Sequence, residues 1–140
     1  VAPPALTAEF RKVHQFVQFA VATPMQAGLA GFLAECPQHS LELPAFYQAK
    51  RDYFCRLLSD TPLAFTPSAG TYFQLADYSA VSDLPDTEFA RQLTTRHGVA
   101  AIPISVLSAD GAAKKERIVR FCFAKHEATL DAAAARLRLL

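Results

Sequence analysis

Six apolar residues enclose one arginine in the run Ile118-Val-Arg-Phe-Cys-Phe-Ala124, and this run constrains the fold more than any other stretch of the chain. β-Branched and aromatic residues in a short run are strand chemistry, and successive side chains on a strand point to opposite faces. No acidic residue adjoins Arg120 in the run. Burying a guanidinium without an anion is costly, so either its face of the strand stays wet or an anion reaches it from elsewhere. A guanidinium is a flat fork of donors that matches a carboxylate, which makes a small acid the natural ligand. From the strand alone, a solvated Arg120 and an acid-binding Arg120 both remain open.

The 140 residues suffice for one ordinary domain or part of a larger one. Fourteen basic residues against thirteen acidic ones leave the net charge near zero, without the basic cluster that nucleic-acid binding requires. No apolar stretch reaches the roughly 18 residues of a membrane span, and the N-terminus does not have the pattern of a signal peptide. Cys36, Cys55 and Cys122 are odd in number, widely spaced and set among apolar residues. They read as reduced packing thiols, not as a disulfide framework or metal ligands. The expectation is a soluble cytoplasmic protein without nucleic-acid or membrane partners.

Val1 to Pro4 reads as the tail of a strand entering a turn, with further chain expected before it. Thr7 is placed to cap a short helix bearing Phe10 and Val13, and Thr23-Pro24 combines an N-cap with proline at the first helical position. Pro37 interrupts that second helix. A longer helix is expected from about Leu43 to Ser59, with Phe46, Tyr47, Phe54, Leu57 and Leu58 on its apolar face and the Lys50-Arg51 pair on the wet one.

After residue 60 the pattern changes. Leu63 to Thr66 and Thr71 to Ala76 read as strands of a hairpin turning through Pro67-Ser-Ala-Gly70. Asp86 is placed to cap a helix that ends at Gly98, Val99 to Ile104 is a strand interrupted by Pro103, and Ser105 to Lys115 is a loop. His126 to Leu139 forms a closing helix. The order is helix, helix, strand, strand, helix, strand, strand, helix. These elements make an α+β fold, a small antiparallel-rich sheet with helices packed on one face and long connector helices before it, with Pro103 at a sheet edge or strand end.

Four motifs in order carry a family resemblance. Arg11-Lys-Val-His-Gln15 with Thr23-Pro24, Pro67-Ser-Ala-Gly-Thr-Tyr-Phe73 followed by Asp77, Gly98-Val-Ala-Ala-Ile-Pro-Ile-Ser105, and Ile118-Val-Arg-Phe-Cys-Phe-Ala-Lys125 are similar to the C-terminal part of class I/II aminotransferases of fold type I. Those enzymes use pyridoxal phosphate (PLP), and the match narrows to the methionine, glutamine and kynurenine branch. The resemblance implies that residues 1–25 are a remnant of the large PLP-binding domain, 26–60 are connector helices and 61–140 are the C-terminal small domain. It also implies a homodimer acting on amino acids and 2-oxo acids.

For the site, the resemblance implies that Arg120 pairs with the substrate α-carboxylate, which resolves the puzzle of the lone guanidinium. Arg117, beside Lys114 and Lys115, reads as a solvated loop charge. Gly70 marks either a tight turn close to a ligand or an ordinary hairpin glycine, and Tyr72 is implied near the substrate side chain. Phe19 matches a position from which an aromatic reaches the neighbouring subunit's active site, with simple packing as its alternative.

No residue is assigned to catalysis, cofactor binding or metal. His14, His39, His97 and His126 are scattered, and Ser105 and Ser108 have no adjacent base. The cofactor needs a lysine, an acid facing its ring nitrogen and phosphate donors, and the resemblance places all of these upstream. The sequence therefore reads as the back portion of an enzyme two to three times as long, inactive alone. The alternative is a free-standing α+β module that binds an amino acid or mediates dimerisation without catalysis.

Overall fold

The computed structural model describes residues 2–108 and 116–140. Val1 and residues 109–115 of the expected loop, including Lys114 and Lys115, lie outside the described residues, while the rest of the expected strand tail is not a strand, for Ala2 and Pro3 are irregular and Pro4 opens a helix. The chain forms two compact units, Val1–Leu43 and Pro44–Leu140.

The first unit is helical. α1 covers Pro4–Val17 and α2 covers Thr23–Glu35. Both start earlier than their capping signals predicted. Pro3 precedes α1 and Ala22 precedes α2, so Thr7 lies inside its helix, with its hydroxyl donating to the Ala2 carbonyl. A proline in the first turn has the required φ and forfeits an N–H that has no helical acceptor, which makes a side-chain cap dispensable. Leu6, Phe10, Val13 and Val17 recur at helical spacing along α1, yet no residue of α1 or α2 is buried.

α3 spans Gln38–Leu58 and contains Pro44. The expected start near Leu43 follows from proline's inability to bond the carbonyl four residues back. The helix nonetheless begins at Gln38, and the division between the compact units falls at this proline.

The second unit is built on a three-stranded antiparallel sheet. β1 is Phe73–Asp77, β2 is Ile102–Pro103 and β3 is Ile118–Cys122, in spatial order β1-β3-β2. Two expected strands contract. Leu63 to Thr66 contributes one bridge, in which Ala64 and Asp77 exchange both backbone hydrogen bonds. Val99 to Ile104 reduces to β2, because Pro103 has no N–H for a ladder and a 3₁₀ turn, Ile104–Leu107, follows at once. Pro103 sits on an edge strand, as expected.

Register decides which residues the sheet buries. Gln74 lies opposite Phe121 and Ala76 opposite Val119, and all four are buried. The same core takes in Phe54 and Leu58 of α3, Phe89 and Ala90 of α4 (Asp86–Gln92), and Leu130 and Leu137 of α5 (Glu127–Leu137). Each large apolar side chain so buried contributes about 1.5–3 kcal/mol. The other face presents Leu75, Arg120 and Ile102 in a row, since Arg120 pairs with Leu75 on one side and Ile102 on the other. This is the predicted α+β arrangement, with helices gathered on one face.

A π-helical turn, Leu93–His97, follows α4 and ends at Gly98 with φ 63°. An added Cβ at Gly98 would stand 2.5 Å from Arg136 Nη1, which donates to the Gly98 carbonyl. The left-handed backbone favours glycine there, whereas the flexible end of Arg136 could move aside for a Cβ. Asp86 does not act as the cap. It is the first helical residue, and its carboxylate turns inward to Ser105.

Tyr78 is fully buried, stacked on Phe89 at 3.8 Å, and its hydroxyl donates to the Leu84 carbonyl. Burial, reinforced by the Asp86 carboxylate, pushes its phenol from 10.0 up to about 12. The folded state thus keeps a proton that the unfolded chain releases first. The stabilisation is complete below pH 10.0 and is lost as pH rises towards about 12. Alkaline titration of unfolding should show stability falling across that window, and Tyr78→Phe should flatten the fall.

Candidate substrate-carboxylate site

On the open face of β3, Arg120 is half-buried beside a cleft of about 700 Å³ in the second unit. Tyr72, Phe73, Ile102 and Cys122 line the cleft with it, while Ala128, Thr129, Ala132 and Ala133 of α5 line it as well. Among the described residues its lining contains no carboxylate and three cations, Arg120, Lys125 and Arg136. Arg136 is committed to the Gly98 carbonyl at 2.8 Å. Arg120 differs. The ion pairs among the described residues engage Lys12, Arg51, Arg117 and Arg138, and none engages Arg120. Its Cζ instead stands 4.5 Å from the centroid of the Phe73 ring.

A cation–π contact of this kind uses no hydrogen-bond acceptor and leaves the guanidinium donors for one. A half-buried cation in a cleft lined by no carboxylate among the described residues can take an anion whose two oxygens match the fork. Arg117, read from the sequence as a solvated charge, instead pairs with Asp83 at 2.7 Å.

Tyr72 is half-exposed at 50% and lies edge-on to Phe73, with centroids 5.7 Å apart and planes at 88°. Its carbonyl accepts the Phe123 N–H at 3.0 Å, tying the turn to the end of β3. Gly70 is exposed and outside the cleft lining, and an added Cβ would meet nothing within 4 Å. The left-handed residue of this turn is Thr71, at φ 70°. A β-branched residue is a rare occupant of that region, so the strain expected at a tight turn sits one position later than the glycine.

Phe19 belongs to the first unit. It is 83% exposed, with φ 60°, in the turn that closes α1. Its N–H bonds the His14 carbonyl. Arg120 and Tyr72 are therefore brought together in one cleft, Gly70 lies two residues from it, and Phe19 is positioned by a different unit.

Reading the sequence missed several participants. Phe73 was only a motif member, although strand alternation puts it on the Arg120 face of the sheet. Lys125 was likewise only a motif member, and Arg136 and the small-residue face of α5 gave no signal, because they reach the cleft through packing of α5. The Lys50-Arg51 pair is not free on a wet face. Lys50 Nζ donates to the Lys125 carbonyl at 2.7 Å, and Arg51 bonds Asp52 and the Ser68 carbonyl. The cysteines also differ from expectation, for Cys36 and Cys122 are exposed. Only Cys55 is half-buried, and burial raises its thiol above the usual range.

Residues 1–137 match the aminotransferase class I and II family, and the chain belongs to that family. Over its full length it is 54% identical to the methionine aminotransferase of Escherichia coli K12, of which it covers 36%. It is 32% identical over 95% of its length to a kynurenine–oxoglutarate transaminase of Dictyostelium discoideum, covering 35% of that protein. The solved E. coli structure for which a methionine aminotransferase function was identified aligns with all of the chain at a TM-score of 0.85 and 53% identity, over 36% of its own length. N-succinyldiaminopimelate aminotransferase from Mycobacterium tuberculosis aligns with 99% of the chain at 0.84 and 33% identity, over 36% of its own length. The chain thus spans about a third of the length of these relatives.

The family depends on PLP in general. Its ring nitrogen calls for an acid, its aldehyde for a lysine and its phosphate for a nest of donors. Among the described residues the cleft lining holds no acid. Among the described lysines, Lys12 pairs with Glu9 and Lys50 with a carbonyl. Lys125 reaches the cleft without an acid beside it in the lining. These residues do not form a set that fits the cofactor. Among the described residues, no helix is long and apolar enough to cross a membrane.

Proposed function

We propose that this chain is the substrate-carboxylate half of an aminotransferase that moves an amino group from an amino acid of methionine, glutamine, aromatic or kynurenine type to a 2-oxo acid. One observation carries the reading: among the described residues, a half-buried guanidinium stands beside a cleft with no acid in its lining and has no ion-pair partner. Family membership and the methionine and kynurenine transaminase relatives support the amino-acid chemistry.

Arg120 holds the α-carboxylate of both substrates, which share that group. A fixed carboxylate limits the orientations of the Cα–H bond, and positioning of this kind accounts for a large part of many rate enhancements. Tyr72, with Gly70 at the head of its turn, borders the substrate side chain. Phe19 contributes to the partner subunit's pocket in a homodimer. In this reading residues 1–25 belong to a large domain, 26–60 to connector helices and 61–140 to a small domain, in a soluble cytoplasmic enzyme that takes PLP from residues outside this chain.

The test is an amino-transfer assay of the full-length protein with added PLP, with methionine, glutamine, phenylalanine and kynurenine as donors and a panel of 2-oxo acids. Transfer from at least one donor is expected, and none from residues 1–140 alone. A full-length protein that binds amino acids without transferring the amino group would replace this reading by the binding-module alternative.

A further inference from the structure

We propose that Phe73 is a positioning residue for Arg120, holding the guanidinium plane so that its donor edge meets a carboxylate. This inference rests on the reading of Arg120 as the carboxylate anchor. Phe73 pairs with Cys122 and Leu75 with Arg120, so the ring is the diagonal neighbour of Arg120 on the same sheet face, within reach of a long side chain. The 4.5 Å separation of Cζ and ring centroid is that of a cation over a π-face.

An acidic residue placed here would orient Arg120 too, but it would consume the donors that the substrate needs. An aromatic ring attracts the cation through its π-face and offers no carboxylate oxygen to consume those donors. Orientation and vacancy of the fork are then compatible, which explains how the cleft keeps a preorganised cation without a carboxylate among the described residues of its lining.

The ring itself is well held. Tyr72 packs edge-on against it, and the Tyr72 carbonyl is tied to the Phe123 N–H. The next residue, Gln74, is buried and braces the turn, accepting the Ser68 N–H and donating to the carbonyls of Thr66 and Leu75. The left-handed Thr71 precedes this pair and persists because these bonds over-determine the turn.

The test measures equilibrium binding of 3-phenylpropanoate and 3-phenylpropanol to the full-length enzyme. The two probes share a ring and chain and differ in the carboxylate. Phe73→Leu should raise the Kd of the acid by about three- to thirtyfold and leave that of the alcohol within about twofold. Phe73→Tyr, which keeps the ring face, should bind the acid like the wild type. Phe73→Met replaces the leucine variant if that variant does not fold.

Equal weakening of both probes, or an unchanged acid Kd, would overturn the proposal, since pocket distortion does not distinguish acid from alcohol. Arg120→Ala is the separating control. If it weakens the acid while Phe73→Leu does not, the anchor stands and the role of Phe73 falls. If Arg120→Ala leaves the acid unaffected, or the wild type binds the acid no better than the alcohol, the anchor itself falls.

Discussion

Arg120→Ala in the full-length protein should lower kcat/KM for the amino donor and for the 2-oxo acid alike, by roughly 30- to 1000-fold. That range corresponds to about 2–4 kcal/mol, the usual loss when one partner of a desolvated, hydrogen-bonded charge pair is removed. Both half-reactions suffer because donor and acceptor share the carboxylate and differ elsewhere. Arg120→Lys should recover only part of the loss, since an ammonium restores charge without the planar fork. Steady-state kinetics with each substrate varied separately give the measurement. Unchanged kcat/KM for both would remove Arg120 from the site and leave it a solvated strand residue.

Asp86→Ala should destabilise the chain by about 3 kcal/mol, read as a shift in the midpoint of denaturant unfolding. Asp86 is buried, and its two carboxylate oxygens accept the Ser105 N–H and hydroxyl, each at 2.7 Å. Removing the carboxylate leaves two donors buried without partners, which costs more than the bonds contribute net. Ser105→Ala deletes only the hydroxyl and should cost about 1 kcal/mol. The double variant should lose less than the sum, because the two residues form one network. Strict additivity would show that the bonds do not couple α4 to the 3₁₀ turn behind β2.

The two residues illustrate different degrees of legibility. Arg120 was conspicuous because the conflict lay within seven residues: an uncompensated cation in an apolar strand is a local anomaly. Asp86 looked like a helix cap for an equally local reason, its place after Pro85. In the fold, Ser105, nineteen residues away, competes for the carboxylate and wins, because both groups are buried and each satisfies the other. Gly98 was read correctly as a helix stop, since positive φ is an intrinsic glycine preference. Gly70 was read as a tight turn close to a ligand or an ordinary hairpin glycine, yet the left-handed position belongs to Thr71, held by hydrogen bonds from residues on both sides of the turn.

Element type was thus written in periodicity and punctuation, which operate over a few residues: the long helices, the strand around Arg120, Pro103 at an edge and the break at Pro37. Those signals also carried the family motifs. Strand register, by contrast, set Arg120 beside Leu75 and Ile102 and brought the Phe73 ring over it. Packing of α5 brought Lys125 and Arg136 to the cleft, and burial turned Asp86 inward to Ser105. Such pairings join residues far apart in the chain, and their energies are decided by which surfaces are removed from water together. A strand shifted by one residue would have sent the same guanidinium into the core, so its availability to a ligand is a property of the assembled sheet.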